Sequence, residues 1–466
     1  MKREAENYLN KWFAKTRRKP LILRGARQVG KSTLVRNFAN NHNLDLIEIN
    51  LEKHKKLNTL FETKNINEIC REIEYITNSS LAVAENKLLF LDEIQATPEA
   101  IACLRYFYED FPDLAVVSAG SLLEFTLSKH NFSMPVGRIE YLYLGPMNFI
   151  EFLTAQKQWQ LIELLDGYSG GKLPESAHER LSALLRDFIL VGGMPEAISV
   201  YIENKDLEEV IDVHLSIIET YQDDFSKYAR DSQLLMLQNV FKHVPEFIGN
   251  KVKYSNIDQN AQAREVKTAI DLLVKAGVII KVNHSNASGL PLGAEANSNI
   301  YKLYFLDIGL VNTMCGTKHL SLESLQNIRF VNEGNIAEQC IAQHLLYAGR
   351  PNATPDLFYW LREGKSGNAE VDFILPVNGS IVPIEVKAGK SGTLKSLHQF
   401  VKNKNCATAY RFDLNPPSSQ SIECAVTNGD PKSSDIKFEL LSLPIYMIQN
   451  FIQENRVFSP KAVDIL

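Results

Sequence analysis

The sequence predicts an α/β protein that begins with a parallel sheet covered by helices on both faces. A glycine-containing loop at residues 25–32 lies between a short apolar run and a stretch with apolar residues at helical spacing. Three more apolar runs follow at residues 46–49, 88–91 and 114–117, with helix-like segments between them. Continuous apolar runs that alternate with helices are typical of buried parallel strands.

Length and composition limit the number of domains, the binding partners and the cellular compartment that we expect. At roughly 150 residues per domain, a chain of 466 residues has room for two or three domains. The formal net charge of -5 argues against general binding of polyanions, although a local basic face stays open. Six scattered cysteines without a C-x-x-C pair argue against a zinc site and fit a reducing compartment. We find no signal-peptide core and no apolar run near the roughly 20 residues of a membrane span, so we expect a cytoplasmic protein without a membrane partner.

The loop carries the phosphate-binding motif G-x-x-x-x-G-K-[ST] of nucleotide triphosphatases. Gly25 and Gly30 let the backbone turn so that its N–H groups converge on phosphate oxygens. Lys31 is expected to reach the β- and γ-phosphates of ATP, and the Ser32 hydroxyl is expected to bind Mg²⁺. The predicted nucleotide contacts are Gly25, Ala26, Arg27, Gln28, Val29, Gly30, Lys31, Ser32 and Thr33.

Two later strand ends supply further candidates. The run at 88–91 ends in Asp92 and Glu93, an arrangement that resembles the second nucleotide motif of the same enzymes. We expect Asp92 to hold Mg²⁺, directly or through water, and Glu93 to polarise the attacking water as a general base. The strand after it ends near Ser121, where additional-strand ATPases often hold a γ-phosphate sensor. A simple Gly-Ser turn is the alternative interpretation of Ser121.

The order of these motifs resembles that of the prokaryotic AAA-type ATPases of uncharacterised role that carry a C-terminal nuclease-like domain. The resemblance implies ATP binding and hydrolysis but supplies no substrate. It rests on the segments GARQVGKST (25–33), LLFLDEIQ (88–95), SAGSLLEF (118–125), VGRIEYLYLGPMNFIEF (136–152), VGGMPEAI (191–198), LYFLDIGLV (303–311) and EVDFILPVNGSIVPIEVKAGK (370–390).

One arginine occupies a family position with an open role. Arg138 lies in the segment at 136–138. An arginine there could reach a triphosphate of its own chain, or the triphosphate of a neighbour as a finger. The second role would require a homo-oligomer. A structural salt bridge is the alternative.

The middle of the chain is predicted to be helical and then to form a winged helix-turn-helix. Residues 151–230 have leucines at helical spacing and resemble the helical lid that follows an AAA core. Residues 231–320 suggest three helices and a β-hairpin. Basic residues are interspersed with acidic ones, so DNA contact and pure scaffolding both stay open. The basic positions are Lys251, Lys253, Arg264, Lys267, Lys275 and Lys281.

A second set of charged residues lies in the C-terminal part. Glu338 lies on the apolar stripe of a predicted helix, where a carboxylate is costly unless it is paired or bound to a cation. Asp372 lies on one predicted strand, and Glu385 and Lys387 project from one face of the next. Helix, strand, Glu-x-Lys strand and helix resemble the PD-(D/E)XK nuclease fold. The resemblance implies that Asp372 and Glu385 bind Mg²⁺, that Glu338 assists, and that Lys387 orients or activates water.

The sequence therefore predicts four parts and two competing functions. In the first, ATP binding gates a nuclease-like, DNA-contacting C-terminal half. In the second, the chain is a non-cleaving switch or scaffold that binds a protein or nucleic-acid partner. The parts are an ATPase core at 1–150, a helical lid at 151–230, a winged-helix module at 231–320 and a restriction-endonuclease-like α/β domain at 325–466.

Overall fold

A computed structural model of the chain describes eleven stretches of residues, which form two compact units. Unit 1 consists of Met1–Met147, Leu272–Val278 and Pro351–Thr354, and unit 2 of Asn148–Asp271, Ile279–Arg350 and Pro355–Leu466. The described residues are 1–81, 86–121, 123, 135, 137–227, 229, 231–317, 333–363, 368–388, 394–424 and 436–455. Within these ranges, no helix combines the length and the apolar character needed to cross a membrane.

Unit 1 is built on a parallel sheet of five strands, which confirms the predicted α/β class for this part. The order is β2-β3-β4-β1-β5, so β4 lies between β1 and β3. Because all strands are parallel, their carboxyl ends meet at one edge of the sheet. The strands are β1 Leu21–Arg24, β2 Asp45–Asn50, β3 Lys87–Asp92, β4 Ala115–Ala119 and β5 Glu140–Tyr143.

The first four strands are the predicted apolar runs, whereas β5 was not predicted as a strand. Only Leu142 of β5 is fully buried, and its neighbours are half-buried, so the strand lacks a continuous apolar run. Helices between the strands complete unit 1. They are α1 Glu6–Phe13, α2 Lys31–Asn41, α3 Leu57–Thr63, α4 Ile66–Thr77 and α5 Pro98–Asp110.

Unit 2 begins with helices, as predicted for residues 151–230. The identity of this segment as a lid stays a prediction. The helices are α6 Phe149–Ala155, α7 Trp159–Asp166, α8 Glu175–Val191, α9 Pro195–Asn204, α10 Leu207–Phe225, α11 Asp231–His243, α12 Tyr254–Ile257, α13 Ala263–Lys275, α14 Ile308–Met314, α15 Glu333–Leu346, α16 Lys395–Lys404 and α17 Ile448–Glu454. The end of α13, from Leu272, counts with unit 1.

A mixed sheet of eight strands organises the rest of unit 2. Its order is β12-β13-β11-β10-β9-β8-β6-β7. β6 pairs with β7, β9 with β10 and β12 with β13 in antiparallel fashion, and β6 pairs with β8 in parallel. The strands are β6 Ile279–Ser285, β7 Ala296–Phe305, β8 Leu357–Arg362, β9 Ala369–Val377, β10 Ser380–Val386, β11 Thr408–Asp413, β12 Ser418–Cys424 and β13 Ile436–Pro444.

The β-hairpin of the predicted winged helix is present, but it is not a free wing. The predicted helices correspond to α11, α12 and α13, and β6 and β7 pair antiparallel as expected. On its other side, β6 pairs with β8 through Val282 and Leu357. The hairpin therefore belongs to the same sheet as the C-terminal strands, and the sheet has no break at the predicted boundary near residue 320. The winged-helix identity stays a prediction.

Two distant family segments meet at a buried aspartate in unit 2. Asp307 is fully buried, and its carboxylate accepts hydrogen bonds from Gly193 N at 2.6 Å and Gly309 N at 2.9 Å. Gly192 has a φ of 71°, and a Cβ there would lie 2.1 Å from Asp307 Oδ1. Burial raises the pKa of Asp307 to about 6. The Gly-Gly turn of the segment at 191–198 is thus a docking point for the aspartate of the segment at 303–311, with a structural role.

We expect Gly192→Ala to lower the stability of unit 2, because the new methyl group would displace Asp307 and strain a left-handed residue. A loss of about 1–3 kcal/mol is the usual scale for such a change. Chemical denaturation of the full chain measures it. Gly334→Ala is the matched control, because a Cβ at Gly334 meets nothing within 4 Å. Equal stability of the two variants would contradict this role of Gly192.

Candidate nucleotide site and lysine–carboxylate cluster

Both predicted glycines of the loop between β1 and α2 have positive φ angles, which residues other than glycine rarely adopt. Gly25 has a φ of 149°, and a Cβ there would lie 2.1 Å from the Leu144 carbonyl oxygen. Gly30 has a φ of 89° and directly precedes α2. The first turn of α2 therefore presents its free backbone N–H groups at the end of the loop, which is the arrangement that binds phosphate.

Lys31 lies beneath this loop, with its ammonium held by the loop itself. Its Nζ donates to the carbonyl oxygens of Ala26 at 2.7 Å and Gly25 at 3.1 Å, and the residue is 8% exposed. Burial lowers the pKa of Lys31 to about 8, against the opposing effect of Glu93 and Asp92. A phosphate anion arriving at the loop would offer this ammonium stronger partners than neutral carbonyls.

The two nucleotide motifs meet at a hydrogen bond between Ser32 and Asp92. Ser32 Oγ donates to the Asp92 carboxylate, at 3.0 Å from Oδ2 and 3.1 Å from Oδ1. The Glu93 backbone N–H also donates to Asp92 Oδ1 at 3.1 Å. Burial raises the pKa of Asp92, and the contacts from Ser32 and the Glu93 backbone oppose that shift. One hydroxyl and one carboxylate side by side are ligands that suit Mg²⁺, so these residues fit the predicted ion.

Glu93 is held by a glutamine that the sequence analysis did not consider. Glu93 adopts a left-handed conformation with a φ of 52°, and Gln95 Nε2 donates to its Oε2. Gln95 Oε1 is buried and has no hydrogen-bond partner among the described residues. A Cβ on Gly120 would lie 2.5 Å from that oxygen. Gln95 therefore connects the predicted base to the end of β4. Its place in the segment LDEIQ, two residues after Glu93, was the available signal.

Ser121 lies at the same edge of the sheet as the phosphate loop. It follows β4, which is flanked by β1 and β3, the strands that lead to the loop and to Asp92. The residue is 8% exposed, and its Oγ has no hydrogen-bond partner in the described part of the chain. A buried hydroxyl without a partner is unusual in folded proteins. The geometry fits a phosphate sensor, and this role stays a prediction.

Arg138 lies at the opposite edge of the sheet. β5 pairs with β1 from Glu140 opposite Leu21 to Tyr143 opposite Arg24. The phosphate loop follows Arg24, whereas Arg138 precedes β5. A strand of four residues spans roughly 13 Å. A contact between Arg138 and a triphosphate bound to the same chain does not fit this placement.

The side chain of Arg138 instead has the salt bridge that was the alternative interpretation. Its Nε lies 3.0 Å from Glu109 Oε1, and its guanidinium carbon lies 5.8 Å from the Tyr108 ring centroid. The arginine is 44% exposed. A role as a finger towards a neighbouring chain stays a prediction.

In unit 2, the predicted nuclease residues surround a lysine that the sequence analysis missed. Lys302 of β7 is fully buried. Its Nζ lies 2.5 Å from Glu370 Oε1, 3.3 Å from Glu338 Oε2 and 3.5 Å from Asp372 Oδ1. Tyr304 OH donates to Glu338 Oε2 at 2.9 Å. We call this group the lysine–carboxylate cluster, and its members are Lys302, Tyr304, Glu338, Glu370, Asp372, Glu385 and Lys387.

The other members of the cluster lie at the end of β10. Asp372 Oδ2 accepts a hydrogen bond from Val386 N at 2.8 Å, and Lys387 Nζ donates to Glu385 Oε1 at 2.5 Å. Glu385 Oε2 is buried without a partner in the described ranges. Burial, reinforced by Asp372, raises the pKa of Glu338 to about 7 and of Glu385 to about 8.

The predicted Mg²⁺ site of Glu338, Asp372 and Glu385 does not fit this geometry. Both oxygens of Asp372 and one oxygen of Glu385 already have donors, and the ammonium of Lys302 stands between Glu338 and Asp372. Across the described ranges, no group of three or more His, Cys, Asp or Glu side chains could hold a metal ion. The missed signal was a lysine inside the apolar run at 301–306.

The basic residues predicted near the hairpin are partly neutralised. Lys251 Nζ lies 2.7 Å from Glu363, and Lys281 Nζ lies 3.5 Å from Asp271. Lys267 donates to an asparagine side chain at 3.1 Å. Three of the six basic positions thus have acidic or polar partners within unit 2. DNA contact through this region remains an untested prediction.

Family profiles match three separate segments. Residues 17–153 match an AAA domain, residues 182–321 match a domain of unknown function, DUF8612, and residues 333–429 match a second such domain, DUF4143. The chain therefore contains an AAA-type P-loop ATPase domain. No curated protein matches the sequence.

Solved structures resemble the chain only weakly. The ORC2 protein of Aeropyrum pernix, in ADPNP–ADP complexes, is 12% identical over 73% of this chain and 92% of its own, with a TM-score of 0.34. The RuvB Holliday junction branch migration motor of Thermotoga maritima is 15% identical over 60% and 88%, with a TM-score of 0.28. AMPPCP-bound DnaA of Aquifex aeolicus is 13% identical over 58% and 84%, with a TM-score of 0.27. TM-scores this low do not establish that these proteins share the overall fold of this chain.

The raised pKa values in the cluster predict a stability that falls as the pH rises. Glu338 and Glu385 have an ordinary pKa of 4.5, so the folded chain keeps protons that the unfolded chain releases. Their contribution is fully present below pH 4.5 and is lost as the pH passes through the folded pKa values of about 7 and about 8. We expect the midpoint temperature of thermal unfolding to fall as the pH is raised from about 6 to about 9.

The matched variant is Glu385→Gln, because glutamine stays neutral over that range. Its unfolding midpoint should depend less on pH than that of the unaltered protein. Differential scanning calorimetry at a series of pH values measures both. Parallel pH profiles of the two proteins would contradict the raised pKa of Glu385.

Proposed function

We propose that this protein binds ATP with Mg²⁺ at the loop of residues 25–33 and hydrolyses it. The observation that carries the proposal is the hydrogen bond between Ser32 and Asp92. It brings the phosphate loop, the buried ammonium of Lys31 and the carboxylate of Glu93 to one edge of the parallel sheet. Binding groups for phosphate and a candidate base for water are thereby adjacent, as phosphoryl transfer to water requires.

Each residue of the site has a distinct task in this proposal. The backbone N–H groups of the loop and of the first turn of α2 bind phosphate oxygens. Lys31 leaves the Ala26 and Gly25 carbonyls and offsets charge on the β- and γ-phosphates. Ser32 and Asp92 would hold Mg²⁺, which offsets further phosphate charge.

The base and its supporting residues lie at the ends of β3 and β4. Glu93 accepts the proton of the attacking water. Gln95 fixes the carboxylate of Glu93 through its hydrogen bond, so the direction of the base depends on this glutamine. Ser121 has a buried hydroxyl without a hydrogen-bond partner among the described residues, and it would contact the γ-phosphate.

Two substitutions separate binding from hydrolysis. We expect Lys31→Ala to weaken ATP binding by about 10- to 100-fold, because a charge-assisted contact to phosphate is worth about 1.5–3 kcal/mol. We expect Glu93→Gln to keep ATP binding and to lower turnover by about 10²- to 10⁴-fold, the range for loss of a general base. Isothermal titration with a non-hydrolysable ATP analogue and a phosphate-release assay measure the two effects.

Arg36→Ala is the control, because Arg36 follows the loop on α2 but pairs with Glu48 at 2.6 Å on the surface. It should bind and hydrolyse ATP normally. Normal turnover by Glu93→Gln would show that another group is the base. Normal binding by Lys31→Ala would overturn the site itself.

For the C-terminal half, we propose a non-cleaving role in which the chain acts as an ATP-controlled switch or scaffold. The specific observation is that Lys302 stands among the carboxylates that would have to hold Mg²⁺ in a nuclease. The resemblance of the sequence to a nuclease fold does not imply cleavage, because function resides in the site. DNA, a protein and a second copy of the chain all stay candidate partners.

The full chain should leave linear and branched DNA and RNA intact in Mg²⁺ or Mn²⁺, with and without ATP. Gel electrophoresis of labelled substrates measures cleavage. Asp372→Ala controls for contaminating nucleases, since any residual cleavage by a contaminant would be equal in the two preparations. Cleavage by the unaltered protein that disappears in Asp372→Ala would contradict the non-cleaving role.

A further inference from the structure

The lysine–carboxylate cluster contains more acidic than basic groups. It has four carboxylates and two lysine ammonium groups, so it carries two acidic groups in excess when all six are ionised. Burying carboxylates is costly unless cations or hydrogen-bond donors compensate them. The compensating groups here come from the protein itself. The carboxylates are Glu338, Glu370, Asp372 and Glu385, and the ammonium groups belong to Lys302 and Lys387.

We propose that Lys302 is a built-in substitute for a divalent cation. Its ammonium closes the cluster to Mg²⁺, and its removal opens a latent divalent-cation site formed by Glu338 and Asp372. The inference concerns unit 2 alone and does not depend on ATP hydrolysis by unit 1.

The position of the ammonium is fixed by the strand that carries it. Lys302 and Tyr304 are two residues apart on β7, so both side chains project from one face of the sheet towards Glu338. The ammonium of Lys302 also lies 5.4 Å from the Tyr359 ring centroid, within cation–π range. With its stem buried and its ammonium contacted by Glu370, Glu338 and Asp372, this lysine cannot swing into solvent as a surface lysine does.

The carboxylates are arranged so that a smaller ion could replace the ammonium. Glu338 Oε2 and Asp372 Oδ1 are both within 3.5 Å of Lys302 Nζ, so the two oxygens already converge on one point. Glu385 lies one residue before Val386, whose N–H binds the other oxygen of Asp372. Its Oε2 is buried and has no partner in the part of the chain that the structure describes. Carboxylate oxygens are hard donors of the class that Mg²⁺ and Mn²⁺ select, and one or two carboxylates together with water are a usual ligand set for Mg²⁺.

The ammonium and a divalent ion exclude each other. A divalent cation placed between Glu338 and Asp372 would lie against the charge of Lys302, and like charges at such distances repel strongly where water is excluded. To admit the ion, the lysine would have to give up all three of its carboxylate partners. The presence of Lys302 therefore determines whether the carboxylates are neutralised by its ammonium or can bind a metal ion.

The test is Mn²⁺ binding to the full-length, nucleotide-free protein, followed by electron paramagnetic resonance. The unaltered protein and Asp372→Ala should bind equal amounts of Mn²⁺, because no ion enters the cluster. Lys302→Met should bind one more equivalent of Mn²⁺ than the unaltered protein, and its unfolding midpoint should rise on adding Mn²⁺. Lys302→Met combined with Asp372→Asn should lose the additional equivalent.

A second variant covers the case in which Lys302→Met fails to fold. Lys302→Met combined with Glu370→Gln removes one positive and one negative charge, so the net charge of the cluster is unchanged and both proposed ligands remain. It too should gain one equivalent of Mn²⁺. ATP turnover, followed in parallel, should be unchanged in all of these variants.

Two results would overturn the inference. One is Mn²⁺ binding by the unaltered protein that is lost in Asp372→Ala, which would show that Lys302 does not close the cluster. The other is a folded Lys302→Met or Lys302→Met/Glu370→Gln protein that binds no additional Mn²⁺. Loss of ATP turnover in Glu93→Gln, measured separately, leaves either result unaffected.

Discussion

The hydrogen bond between Ser32 and Asp92 is the contact on which the nucleotide site depends. It joins the beginning of α2 to the end of β3, two elements that are distant in sequence. The contact exists because β4 and β1 bring the carboxyl ends of parallel strands to one edge. Asp92 is buried and Ser32 is half-buried, so the protein itself sets the geometry of this contact. Lys31 and Glu93 lie at the same edge, so the sheet places the candidate groups for phosphate binding and for water activation next to each other.

Much of unit 1 could be predicted because its information is local. Continuous apolar runs identified β1 to β4, and fixed spacing identified the loop at 25–33 and the acidic pair Asp92 and Glu93. β5 escaped prediction because a half-buried edge strand has no such run. The side of the sheet on which Arg138 lies could not be predicted either, since it follows from the register between β5 and β1.

Unit 2 was harder to predict because its decisive contacts join remote segments. The sequence showed that Glu338 needs a partner, but not that Lys302 would be that partner, because their proximity depends on β7 lying against α15. Likewise, the Gly192–Gly193 turn could be identified only as a turn until Asp307 was seen to bind it. The lysine belongs to the segment that matches DUF8612, and the carboxylates belong to the segment that matches DUF4143. Neither segment alone therefore shows how the charges of the lysine–carboxylate cluster are balanced.

The continuity of the eight-stranded sheet has a consequence for any attempt to study the C-terminal half by itself. A fragment that starts at the sequence-predicted boundary, residue 325, would lack β6 and β7 and expose the edge of β8. It would also lack Lys302, while keeping every carboxylate of the cluster. The carboxylates in such a fragment would no longer be compensated by the ammonium of Lys302. Under the proposal for Lys302, metal affinity found in this fragment would result from the missing lysine and would not describe the intact chain.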